Sequence, residues 1–86
     1  MLRIKEGIDL KELEKFNFMY HDKKDATICY FRQMPIWKTP ISILIEVFKD
    51  RTIDFQLPIN CKWEKQRINL KDYIQDLIQA GLVEKI

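Results

Sequence analysis

Apolar residues recur at helical spacing near both ends of this chain, and the stretch between them alternates with a period of two. Ile8-Asp9-Leu10-Lys11-Glu12-Leu13 and Ile68-Asn69-Leu70-Lys71-Asp72-Tyr73 share one arrangement. Asp9 and Asn69 are N-cap residues, because their side-chain oxygens can accept from free first-turn amides. Glu12 completes a capping-box-like pattern and adds favourable charge at the helix start; Asp72 does the same less well. Ile8 and Ile68 can fold back onto Leu13 and Tyr73 as hydrophobic staples. The first signal predicts a short helix from Leu10 to Phe16, ended by Asn17 in a left-handed conformation with Phe18 packing back. The second predicts an amphipathic helix, since Leu70, Tyr73, Ile74, Leu77 and Ile78 form one stripe. Gly81 closes it with Leu82 behind, and Val83 to Ile86 read as a short extended tail.

Strand formers fill the middle. Ala26 to Met34 follows the polar turn His21-Asp22-Lys23-Lys24-Asp25, and Pro35 and Pro40 bracket a connector. Ile41, Ile43, Ile45 and Val47 alternate with Ser42, Leu44, Glu46 and Phe48. Lys49-Asp50-Arg51 turns the chain, then Ile53, Phe55 and Leu57 alternate with Thr52, Asp54 and Gln56 before Pro58. The result is a hairpin with one buried face and one half-wet face. Residues 1–5 add a short N-terminal strand with Leu2 and Ile4 inward. The expected architecture is α+β in a single domain, 1–86. It has a short N-terminal helix, a three- to four-stranded antiparallel sheet, and a C-terminal amphipathic helix packed on one face.

Composition narrows the function classes. The chain has 86 residues, of which 47% are hydrophobic and 33% charged, with a net charge of +2. That is too balanced for a dedicated duplex-DNA binder, which concentrates basic charge on one face. No run approaches the roughly 18 apolar residues of a membrane span, and no signal peptide opens the sequence. Two cysteines 32 positions apart, Cys29 and Cys61, read as reduced thiols in a cytoplasmic protein.

Catalytic chemistry finds little to work with. His21 is the one histidine and Ser42 the one serine. No glycine-rich elbow surrounds Ser42, which reads as an ordinary strand position, and His21 reads as a solvated turn residue. Cys29 with His21 makes a conceivable thiol pair, yet no charged neighbour in sequence activates either cysteine. Close cysteine pairs of the zinc type are missing, and two glycines cannot build a phosphate loop. The expectation is no enzyme, no cofactor, no metal and no small-molecule substrate. Binding has better candidates. Trp37-Lys38 lies between prolines, Lys62-Trp63 lies in a polar segment, and Arg32 follows Tyr30 and Phe31. An aromatic ring beside a cation can stack a base and neutralise a phosphate. The simpler alternative has each tryptophan capping an edge of the core, its lysine solvated; an exposed tryptophan would equally suit a protein interface.

Two segments, Ile8 to Phe18 and Asp76-Leu77-Ile78-Gln79-Ala80-Gly81-Leu82-Val83-Glu84, give the chain a resemblance to small uncharacterised proteins of low-GC Gram-positive bacteria and their phages. In that group glycine often stands where this chain has Asn17. The resemblance implies a source and a fold, and it carries over no functional residue. Taken together, the leading expectation is a small non-enzymatic cytoplasmic protein, of phage or prophage origin by that resemblance. It would work through contact with an unidentified protein or with itself as a homodimer. Candidate partner-binding residues are Trp37, Lys38, Lys62, Trp63 and Arg32, and the uncovered sheet face of Leu44 and Phe48 offers a surface. The alternative is a weak single-stranded nucleic-acid-binding module built on the same five residues.

Overall fold

The alternating segments do form strands, and a computed structural model, describing residues 1–21, 27–36, 41–58 and 68–86, shows how they pair. In chain order the strands are β1 (Leu2–Ile4), β2 (Met19–Tyr20), β3 (Ile28–Pro35), β4 (Ser42–Phe48), β5 (Thr52–Gln56) and β6 (Val83–Lys85). They make one antiparallel sheet in the order β2-β3-β4-β5-β1-β6. The α+β class holds, but six strands replace the expected three or four. The two additions are very short. β2 pairs through Met19 and Tyr20 with Phe31 and Tyr30. β6, expected only as an extended tail, pairs with β1 through Ile4 and Val83.

The expected N-terminal α-helix is instead a 3₁₀ helix, Leu10–Phe16, in which the Glu12 amide donates to the Asp9 carbonyl three residues back. Its ends follow the local chemistry. Asp9 Oδ1 accepts from the Lys11 amide at 3.0 Å, and Asn17 takes φ 66°. The Glu12 carboxylate pairs with Lys15 at 2.9 Å. The C-terminal amphipathic segment divides in two: a 3₁₀ turn, Leu70–Tyr73, capped by Asn69, and α1, Gln75–Gln79. Ile74 lies between them at φ −130°, outside helical geometry. The split leaves the apolar stripe intact, because Ile74 and Leu77 both fall to 0% exposure. After α1, Gly81 adopts φ +77°, the Gly81 amide donates to Ile78 and the Leu82 amide to Leu77. That paired arrangement is the glycine-ended helix stop its position predicts.

One face of the sheet carries the core. Ile43, Ile45 and Val47 of β4, Ile53 and Phe55 of β5, Ile4 of β1 and Tyr30 of β3 are buried with Leu13, Phe18, Ile74, Leu77 and Leu82. The described helices therefore cover that face. Tyr30 ends in a hydrogen bond, its hydroxyl donating to Glu14 at 3.1 Å. Burial first and Glu14 second push its phenol up to about 12.

Two connections decide how the strands are aimed. Between β4 and β5, the Lys49–Asp50–Arg51 turn puts Arg51 at φ 76°. A non-glycine residue there costs about 1–2 kcal/mol. The Arg51 side chain offsets it by donating to the Ile8 carbonyl at 2.6 Å and the Lys5 carbonyl at 3.0 Å. Arg51→Gly therefore relaxes the backbone yet lowers stability by about 1 kcal/mol, because it cuts both ties. By contrast Asn17→Gly is neutral or stabilising by up to about 1 kcal/mol; urea midpoints of the two variants should move in opposite directions or only the first should fall. In β3, the register against β4 slips between Ile28 and Tyr30, so Cys29 is an extra residue. This bulge places Ile28 beside Phe48 and Tyr30 beside Val47, on opposite faces.

Candidate functional site

The sheet's second face is built from the residues that alternate with the core. Cross-strand register sets Met19, Phe31, Glu46 and Asp54 in one row, and Gln33, Leu44 and Gln56 in the next. Leu44 and Phe48 are half-buried there. Glu46 breaks the expectation of a half-wet face: it is only 3% exposed, and its Oε1 has no hydrogen-bond partner. His21, expected as a solvated turn residue, is half-buried, and its Nδ1 is likewise enclosed and unbonded. The backbone explains its place. The His21 amide donates to the Cys29 carbonyl at 2.9 Å, continuing the β2–β3 ladder up to the bulge. Its ring meets Phe31 edge-on at 6.1 Å.

These groups share a pocket of ≈ 290 Å³, lined by His21, Ile28, Phe31, Leu44 and Glu46. Ile28 is a wall of it only because the Cys29 bulge turns that side chain to this face. Burial holds the Glu46 carboxyl above its ordinary 4.5. A hydrogen bond from Gln56 acts in the opposite sense, Asp54 reinforces the rise, and His21 opposes it. Because the folded-state value is raised, stability is highest where the carboxyl is protonated in both states. It falls as pH rises from about 4.5 through the folded value, and the full loss persists above it. Glu46→Gln is thus expected to raise the melting temperature at neutral pH and to change it little near pH ~4. Equal shifts at both pH values in calorimetry would contradict a raised carboxyl.

Comparison with known proteins names nothing for this chain: no family model, no curated protein and no solved structure matches it.

Of the residues singled out in the sequence, Trp37, Lys38, Lys62 and Trp63 lie outside the described residues, as does Cys61. Arg32 is the one that the structure describes, and it turns inward rather than toward a partner. At 7% exposure it donates to the Phe16 carbonyl at 2.9 Å, the Tyr73 carbonyl at 2.7 Å and Asp76 Oδ2 at 2.7 Å. Its guanidinium carbon stands 4.5 Å from the centre of the Phe18 ring. Strand parity is the cause: Arg32 pairs with Ile45 and so shares the core face. A Ser–His arrangement is not assembled, for Ser42 lines a different pocket with Gln33, Leu44, Gln56, Leu57 and Pro58. Cys29 is a free thiol packed against the core cluster. Among the described residues no three His, Cys, Asp or Glu side chains gather as metal ligands, and no helix is long and apolar enough to cross a membrane.

Proposed function

We propose that this chain is a non-enzymatic binding module whose second sheet face docks a partner protein. The observation that carries the reading is the Glu46 carboxylate, buried in the middle of that face with an unused oxygen. Enclosing an acceptor without a partner costs about 1–3 kcal/mol, and more for an ionised one. A fold-stabilising role for it is therefore hard to find, and a contact that completes it supplies a reason for its place. The half-buried Leu44 and Phe48 beside it give the apolar ground that such a contact needs. The proposal sets the protein in the cytoplasm, in line with the free Cys29 thiol, and includes self-association as a homodimer among its forms.

Leu44→Asp is the test. It puts a charge on the face without entering the core, so circular dichroism should match the parent. Partner capture, or dimer mass in sedimentation, should be lost. Capture that survives Leu44→Asp and Phe48→Asp alike would remove this face from the interaction. The single-stranded nucleic-acid alternative must do without Arg32, whose side chain is buried with both terminal nitrogens bonded inside the fold.

A further inference from the structure

We infer that the Glu46 pocket is a receptor for an arginine side chain carried by the partner polypeptide. The inference rests on the contact reading above and names the chemistry of the group that fills the site. Two buried atoms in this one pocket lack partners, Glu46 Oε1 and His21 Nδ1. Ionised Glu46 can only accept hydrogen bonds, whereas His21 Nδ1 accepts or donates according to where the ring proton sits. The group missing at Glu46 is therefore a donor.

Charge selects a cation. Asp54 stands opposite Glu46 in register on β5, so two acidic residues adjoin and an anion would be repelled. Gln56, the other polar neighbour on β5, is neutral. Aromatic surface selects guanidinium over ammonium. Phe31 forms a wall, and a planar, weakly hydrated guanidinium stacks on a ring while reaching a carboxylate with paired donors; a strongly hydrated ammonium does neither as well. Finally, Leu44 is a wall shared with the second pocket, ≈ 230 Å³, between Gln33, Ser42, Gln56, Leu57 and Pro58. Two adjacent hollows on one face suit a residue and its chain neighbour, which favours a polypeptide over a free guanidinium compound.

The test follows the Glu46 carboxyl in the full chain by ¹³C NMR, with a capped pentapeptide holding a central arginine between leucines. In the free protein the carboxyl should titrate above its ordinary range. The peptide should bring it down, with shifts centred on Phe31, Leu44 and Glu46, and Glu46→Gln should weaken binding tenfold or more. A norleucine peptide should leave Glu46 unmoved. A Glu46 that titrates at or below the ordinary range in the free protein would mean the chain already supplies its cation, and overturns the inference. So does the absence of any shift at millimolar arginine peptide, and so does methylguanidinium binding as tightly as the peptide, which would make the ligand a small molecule. The two readings fail separately: loss of partner capture in Leu44→Asp with Glu46 indifferent to arginine sinks the guanidinium and leaves the docking face standing. Arginine binding at Glu46 with capture untouched by Leu44→Asp does the reverse.

Discussion

Leu77→Asp is expected to leave the chain unfolded at room temperature. Leu77 is at 0% exposure and lies among Ile4, Leu13, Ile43, Ile45 and Ile74 in the core cluster. Removing its burial forfeits about 1.5–3 kcal/mol. Placing an unpaired carboxylate in the same volume costs several kcal/mol more, or forces protonation. A domain of this size holds only about 5–10 kcal/mol in total. The same charge at Ile78, half-buried on the neighbouring position of α1, should be survivable. Far-ultraviolet circular dichroism and one-dimensional NMR on both variants make the comparison; a dispersed, cooperative Leu77→Asp would mean that α1 does not cover the sheet.

Arg32→Ala is the second large effect, with about 2–5 kcal/mol lost, because two backbone carbonyls lose their donor. This one side chain bridges three separate pieces of backbone: β3, the end of the N-terminal 3₁₀ helix through the Phe16 carbonyl, and the C-terminal segment through the Tyr73 carbonyl and Asp76. Truncation strands two carbonyls and frees the Phe18 ring face. Lysine is no rescue, because a single ammonium cannot span the same fork of acceptors. Asp76→Asn should cost less, about 1–2 kcal/mol, since Asp76 is 43% exposed and the two carbonyl bonds survive. Chemical denaturation midpoints would place the variants in the order Arg32→Ala, Arg32→Lys, Asp76→Asn, most to least destabilised. An Arg32→Ala midpoint near the parent would show the clamp to be dispensable.

How much of this was legible beforehand differs by kind of interaction. The caps at Asp9, Asn69, Asn17 and Gly81 are local chemistry, decided by a residue and its near neighbours, and the sequence carries them openly. The β4–β5 hairpin is equally plain, because a period of two with a three-residue turn between has few other solutions. β2 and β6 hold two and three residues, too few for any periodicity; they exist through pairing with distant strands. The stripe of Leu70, Tyr73, Ile74, Leu77 and Ile78 fitted one helix equally well as a 3₁₀ turn followed by a short α-helix, since both keep the same residues inward. At the site, charge alone places Arg32 and Glu46 at the surface. Parity could have corrected Arg32, as it alternates with Tyr30 and Met34 on the core side. Glu46 had no such signal: its burial comes from Phe31 and Asp54 on the adjoining strands and from a bulge at Cys29 that re-aims Ile28.

The position of β1 has a kinetic consequence. β2, β3, β4 and β5 are neighbours in sequence as well as in space, so this meander can assemble while the chain is still being synthesised. β1 is made before all of them, yet it sits between β5 and β6, joined to Ile53 on one side and Val83 on the other. The earliest strand must therefore wait, its apolar Leu2 and Ile4 unsheltered, until β5 has been made, and its other edge waits longer still for β6. The three residues of β6 then act as a latch, closing the outer edge that β1 presents until they arrive.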